Sequence, residues 1–124
     1  MSFNPDNNAL YRISSALDNG MVLDASQKEG CINQLIIYIW NNGPNQKFAI
    51  RDLGDSKYAF FCSLNNGALQ VPYGSTSQGE KIVVGKPSKA LNEFWELIPV
   101  EKPEFSGVNA FYFRSFCGYC LDVS

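Results

Sequence analysis

The 124-residue chain contains no histidine. Histidine is the side chain that titrates near neutral pH, and it is the base of the Ser-His and Cys-His nucleophile systems, so these systems are excluded. Two carboxylate pairs remain, Asp52 with Asp55 and Glu93 with Glu96. Both pairs lie among predicted strand ends and turns, and sequence spacing alone does not place a pair on either side of a substrate bond. We expect the protein not to be an enzyme.

Charged residues are also scarce, at 18% of the chain with a net charge of −2. The chain therefore lacks the basic field that attracts a phosphate backbone, and nucleic acid is not an expected partner. No apolar run approaches the roughly 20 residues of a membrane span. The polar N-terminus shows no signal-peptide region, which predicts a cytoplasmic location, or an extracellular one if a leader was removed.

The four cysteines do not form a recognisable metal site. Cys117 and Cys120 have the spacing of a redox motif or half a zinc site, but Cys31 and Cys62 do not form a second close pair. Zinc requires four ligands, and histidine is absent. We therefore expect no metal and no cofactor. Cys117 and Cys120 are more simply interpreted as strand residues.

The chain is rich in apolar residues (45%) and aromatic residues (14%). This composition predicts one domain, residues 1–124, with a β-rich core, because aromatic side chains suit pleated surfaces. A minority of the aromatics are candidates for exposed platforms that contact a ligand.

Two blocks of sequence recur in the same order. Ala16–Gly20 (ALDNG) matches Ser63–Gly67 (SLNNG), and each is followed by a leucine and a polar residue. Farther along, Asn45–Ile50 matches Asn92–Leu97. A third copy of the leucine and polar residue is Leu121-Asp122. The repeats are assigned as residues 10–57, 58–104 and a partial third at 105–124.

Within each repeat, short β-branched and aromatic segments alternate with turn residues, which predicts strands. Asn19-Gly20 and Asn66-Gly67 predict tight hairpin turns, because both positions tolerate a positive φ. Lys89–Ile98 taken alone has the spacing of an amphipathic helix. The repeat argues against that helix, since the matching segment of repeat one has no helical pattern.

Three such units predict a closed all-β fold around a pseudo-threefold axis. Each repeat would contribute one apolar residue to each core layer. The candidates for one layer are Leu23, Leu69 and Leu121, and those for another are Phe48 and Trp95.

Two segments of repeat one, Val22–Ser26 and Leu35–Phe48, resemble the ricin B-type lectin family, whose members are β-trefoils. Gln46-Lys47-Phe48 looks like the Gln-x-Trp (QxW) motif of that family with Phe in place of Trp. The resemblance implies a carbohydrate-binding lectin module whose partners are glycans or glycoproteins.

The resemblance also implies a sugar site in repeat one. Asp24 would accept hydrogen bonds from sugar hydroxyls, Tyr38 would stack on the sugar, and Asn45 would complete the polar contacts. Asp24 is expected at the protein surface. Gln46 is adjacent and has a structural alternative, because the family keeps its motif in repeats without a site. The implied ligand is a galactose-type sugar, although Ile36 stands where galactose-binding relatives often have Gln.

Repeat two is predicted to be silent. Gln70 replaces the acidic residue and Gly85 replaces the aromatic one, so the acceptor and the platform are both missing. Asn92 alone does not make a site.

Repeat three stops soon after Asp122, before its last two strands. Either the chain is a fragment of a longer protein, or a neighbouring chain supplies the strands in a homo-oligomer or larger assembly. These alternatives support a second functional hypothesis, a structural or interaction scaffold without sugar binding.

Overall fold

The structure is a computed structural model that describes residues 4–16, 20–72, 81–105 and 110–116. The described residues form strands and short 3₁₀ turns, with no α-helix among them, which confirms the all-β prediction. The strands are β1 (Met21–Ala25), β2 (Leu35–Ile39), β3 (Phe48–Gly54), β4 (Lys57–Cys62), β5 (Ala68–Gln70), β6 (Val83–Gly85), β7 (Trp95–Pro99) and β8 (Phe111–Ser115). The 3₁₀ turns are Pro44–Gln46, Leu91–Glu93 and Pro103–Phe105. None of the described segments is a helix long and apolar enough to cross a membrane.

All strand pairs are antiparallel. β1 and β2 form a hairpin, and the larger sheet has the order β6-β5-β4-β7-β8, with β3 also paired to β4. Single bridges attach the hairpin and the N-terminal segment to this sheet. Gln34 bridges to Val83 at the start of β6, and Tyr11 bridges to Phe48 at the start of β3.

Repeats one and two have corresponding strand registers. Tyr11 lies opposite Phe48 in repeat one, and Tyr58 lies opposite Trp95 in repeat two, with both residues displaced by 47 positions. In the hairpins, Leu23 pairs with Ile37 and Leu69 pairs with Val84. The repeat deduced from short sequence blocks is therefore a repeat of three-dimensional structure.

The core consists mainly of residues that the repeats contribute in pairs. Phe48 and Trp95 are both 0% exposed, and Leu23 and Leu69 are 6% and 1% exposed. All four belong to one apolar cluster, as predicted. The Trp95 indole Nε1 donates a hydrogen bond to the Leu69 carbonyl at 2.9 Å, which links the two predicted layers within repeat two. Leu121 lies outside the described residues.

The segment with helical spacing, Lys89–Ile98, is not a helix. It forms the 3₁₀ turn Leu91–Glu93 followed by β7, as Pro44–Gln46 and β3 do in repeat one. Trp95 pairs with Tyr58 on one side and with Ser115 on the other. Because Trp95 pairs with strands on both sides, this segment forms a strand despite its helical spacing of apolar residues.

The Asn66-Gly67 turn differs from its prediction. The Cys62 N–H donates to the Gly67 carbonyl, and the Asn66 N–H donates back to the Cys62 carbonyl, so the four residues Ser63–Asn66 lie between the hydrogen-bonded Cys62 and Gly67. Asn66 has a φ of 57°, whereas Gly67 is not among the glycines with positive φ. Expecting positive φ at both positions was wrong because the longer connection needs only one left-handed residue. For the other predicted turn, Asn19 lies outside the described residues and Gly20 has a φ of 87°.

Glycine is required at position 67 for space rather than for φ. A Cβ there would lie 2.6 Å from Val84 Cγ1. We expect Gly67→Ala to lower the free energy of unfolding by about 1–3 kcal/mol through overpacking, as measured by chemical denaturation. In a Val84→Ala background the obstructing methyl is gone, and the penalty should shrink. An equal penalty in both backgrounds would show that Val84 is not the obstacle.

Candidate functional site

Asp24 lies on β1 beneath the 3₁₀ turn Pro44–Gln46. Its carboxylate accepts two hydrogen bonds from that turn, from Asn45 Nδ2 to Oδ1 at 3.0 Å and from Gln46 Nε2 to Oδ2 at 2.9 Å. Asn45 Nδ2 also lies 3.2 Å from the Ala25 carbonyl. Three of the four predicted site residues are therefore in direct contact, although Asp24 and Asn45 are 21 positions apart in the sequence.

Gln46 is a structural residue in this arrangement. It is 0% exposed. Besides its bond to Asp24, its Nε2 donates to the Ile39 carbonyl at 2.9 Å, and its Oε1 accepts from the Asn41 N–H at 2.8 Å. The side chain thus links the end of β2 to the 3₁₀ turn, and it also holds the Asp24 carboxylate in place.

Tyr38 supplies an exposed aromatic surface next to this cluster. Its side chain is 51% exposed. In the hairpin, Tyr38 pairs with Val22 while Asp24 pairs with Ile36. Side chains two residues apart share a face of a strand, so Asp24, Ile36 and Tyr38 lie on the same face. Diagonal neighbours of this kind are about 7–8 Å apart, a distance that one ligand ring can span.

The expectation that Asp24 lies at the surface was wrong. The residue is only 3% exposed, because the turn covers it and two amides hold its carboxylate. An ionised carboxylate can accept about four hydrogen bonds, and the described residues donate two to it. About two of its acceptor positions are therefore not used by the described residues.

In repeat two the acid and the amide exchange places. Gln70 occupies the strand position of Asp24, and Glu93 occupies the turn position of Gln46. Gln70 Nε2 donates to Glu93 Oε2 at 3.3 Å, so the strand–turn hydrogen bond survives with donor and acceptor reversed. The aligned repeats contain the signal for this exchange, because Gln70 replaces an acid and Glu93 replaces an amide.

The reversal removes the free acceptor. Glu93 is 2% exposed, and its oxygens accept from the Ser88 N–H, the Ser88 hydroxyl and the Lys89 N–H as well as from Gln70. The Gln70 amide lies over Gly85, where an added Cβ would be 2.6 Å from Gln70 Oε1. The acid thus binds backbone amides, and the platform position is covered.

Asn92 corresponds to Asn45, and it also bonds to the backbone. Its Nδ2 donates to the Val71 carbonyl at 2.9 Å, as Asn45 Nδ2 does to Ala25. Its Oδ1 is buried without a hydrogen-bond partner among the described residues. The amide of this repeat therefore contributes to the turn, next to a cluster with no free carboxylate oxygen.

The other candidate chemical groups have structural partners. Asp52 accepts a bond from the Gly54 N–H, and Glu96 forms an ion pair with Arg114 on the neighbouring strand. Within the described ranges, no group of three or more acidic or cysteine side chains could hold a metal. Burial is the main cause that raises the pKa of the Cys62 thiol, and the Asp24 charge adds to it. A raised pKa disfavours the thiolate that metal binding and redox chemistry require. Cys117 and Cys120 lie outside the described residues.

Comparison with known proteins gives both a family and a fold. A family model described as a ricin-type β-trefoil lectin domain-like family matches residues 2–85. The designed threefold-symmetric protein ThreeFoil is 28% identical with a TM-score of 0.69, and the match covers 85% of this chain and 72% of that chain. No curated protein sequence matches the chain.

Two natural proteins share the fold at lower identity. The Polyporus squamosus lectin, bound to a human-type influenza-binding epitope, is 17% identical with a TM-score of 0.71, and the match covers 92% of this chain and 38% of that chain. A mosquitocidal holotoxin is 23% identical with a TM-score of 0.72, and the match covers 98% and 14%. This chain therefore spans well under two thirds of either protein. Together these structures confirm the predicted β-trefoil.

The burial of Asp24 predicts a cost in stability when it is removed. Asp24→Ala leaves the Asn45 and Gln46 amides without their carboxylate partner, and the free energy of unfolding should fall by about 1–3 kcal/mol. Asp52→Ala, which removes an exposed carboxylate with one backbone bond, should cost less than about 1 kcal/mol. Urea denaturation measures both. Equal losses would contradict a stabilising role for the Asp24 cluster.

The reversed pair in repeat two predicts a rescue. Gln70→Asp places a second carboxylate against Glu93, and the repulsion should lower the free energy of unfolding by about 2–4 kcal/mol at pH 7. The deficit should shrink at pH 5, where one carboxylate of such a pair can take up a proton. Adding Glu93→Gln restores an acid and an amide in the order of repeat one, although it also removes one acceptor oxygen from the Ser88 and Lys89 N–H groups. The double variant should therefore be more stable than the sum of the two single changes predicts. A double variant as unstable as the sum of its single changes would refute the exchange.

Proposed function

Because the chain belongs to the ricin-type β-trefoil lectin domain-like family, which implies carbohydrate binding in general, we propose that it is a non-enzymatic lectin module with one sugar site in repeat one. The ligand is a galactose-type sugar, as the resemblance to galactose-binding relatives implies. The observation that supports this site is the Asp24 carboxylate, which is fixed by two amides and shares a strand face with the exposed Tyr38.

The physical chemistry of the arrangement suits a sugar. A carboxylate with spare acceptor capacity forms short, charge-assisted bonds to two vicinal hydroxyls. An exposed tyrosine ring offers rigid apolar area to the C–H face of the sugar at little cost in side-chain entropy. The Asn45 and Gln46 amides hold the carboxylate before the ligand arrives, which lowers the ordering cost of binding.

The described part of repeat two supports the assignment of a single working site to repeat one. Its acid serves backbone amides of the turn, and its platform position is a glycine covered by Gln70. One shallow site gives weak binding, so useful avidity would come from several copies acting on a multivalent glycan.

The test uses two tyrosines of equal exposure. Tyr38 and Tyr112 are 51% and 53% exposed, so replacing either one should leave the fold intact. On a glycan array, the wild-type chain should bind galactose-type glycans. Tyr38→Ala should lose about tenfold or more in affinity, because stacking and its apolar contact contribute about 1–3 kcal/mol. Tyr112→Ala should bind as the wild type does.

Thermal unfolding of all three proteins confirms that they are folded before they are compared. A folded wild type that binds no glycan would refute the proposed function and favour the scaffold hypothesis. Equal losses in both tyrosine variants would refute the assignment of the site to Tyr38.

A further inference from the structure

The residue directly opposite Asp24 is a hydrocarbon. Ile36 pairs with Asp24 across the β1–β2 hairpin, on the face that also presents Tyr38. Its neighbours Leu35 and Ile37 lie on the opposite face, where Leu35 is 4% exposed and Ile37 packs against the core. Ile36 is partly exposed and is not a member of that core cluster. Its side chain is therefore available to a ligand.

The surroundings of the carboxylate are thus two-sided. Amide groups of Asn45 and Gln46 approach it from the turn, whereas Ile36 flanks it on the strand side. Opposite residues of an antiparallel pair have Cβ atoms about 4.5–5.5 Å apart. A sugar whose hydroxyls reach Asp24 while its ring lies along Tyr38 passes between Ile36 and Val22, and of these two Val22 is 1% exposed whereas Ile36 is partly exposed.

The chemistry of that position favours one kind of substituent. A hydroxyl placed over Ile36 would give up its bonds to water with no donor or acceptor in return. A methyl group in the same place would remove apolar area of both partners from water. Ile36 therefore disfavours a sugar edge that carries only hydroxyl groups and favours a sugar edge that carries a methyl group.

We propose that Ile36 is a specificity-determining residue and that the site selects galactose-type sugars carrying a methyl group, either in an N-acetyl substituent or as a 6-deoxy carbon. This inference rests on the proposed function and deepens it. The competing explanation is that Ile36 is only a good strand former, since Val83 occupies the matching position opposite Gln70 in repeat two. That explanation predicts effects on stability and none on sugar preference.

The experiment compares sugars that differ at one substituent. Titrations followed by calorimetry or NMR use N-acetylgalactosamine against galactose, and L-fucose against L-galactose. The wild type should prefer the methyl-bearing member of one pair by about fourfold or more, as expected for one buried methyl-sized group. The pair that shows the preference identifies the source of the methyl.

Variants at position 36 then assign the preference. Ile36→Gln should bring the ratio of affinities to one or below it, while Ile36→Val, which keeps a branched hydrocarbon, should retain a preference. Should thermal unfolding show that Ile36→Gln is not folded, Ile36→Ala replaces it, and the preference should fall with the lost contact.

The outcomes separate the two proposals. If the folded wild type binds both members of each pair equally, or if the ratio is the same in every position-36 variant, the inference is overturned while the lectin function stands. If the folded wild type binds none of the four sugars and no glycan on the array, both are overturned.

Discussion

The repeats of this trefoil depend on a hydrogen bond between an acid and an amide that joins a strand to the following 3₁₀ turn. In repeat one the bond links Asp24 to Gln46, and in repeat two it links Gln70 to Glu93. Asp24, Gln46 and Glu93 are buried, and Gln70 is partly exposed. In that setting an unmatched donor or acceptor costs much more than a formed bond contributes. The fold therefore requires that the pair be complementary, but it does not fix which element supplies the acid.

That freedom distinguishes the proposed binding repeat from the proposed silent one. When the acid is on the strand, two amides of the turn hold its carboxylate, and the acid lies on the same strand face as Tyr38. When the acid is on the turn, the N–H groups of Ser88 and Lys89 engage it. The core beneath is the same in both cases, since Phe48 and Trp95 occupy matching positions. The proposed site thus lies in a layer of polar residues above the core, and the core residues do not determine whether a repeat contains it.

Much of this structure could be predicted from the sequence, because each segment of repeat one can be compared with the matching segment of repeat two. The matching of Phe48 with Trp95 identified two core residues, and the matching of Leu91–Glu93 with Pro44–Gln46 outweighed a local helical pattern. The burial of Asp24 and the length of the Ser63–Asn66 connection were missed. Both depend on contacts between residues far apart in sequence or on backbone hydrogen bonds, to which residue type is a weak guide. The site assignments, the incomplete third repeat and the location in the cell stay predictions.

The reversed pair also limits the order in which one repeat can change into the other. Each exchange of the acid and the amide needs two substitutions, and the first leaves either two carboxylates or two amides face to face. Two buried carboxylates repel each other, whereas two amides can still bond, because each has both a donor and an acceptor. A duplicated repeat can therefore lose its acid first and acquire a new one later on the other element, folded at every step. In a chain with this architecture, single repeats can therefore exchange the acid and the amide over evolutionary time while the trefoil persists.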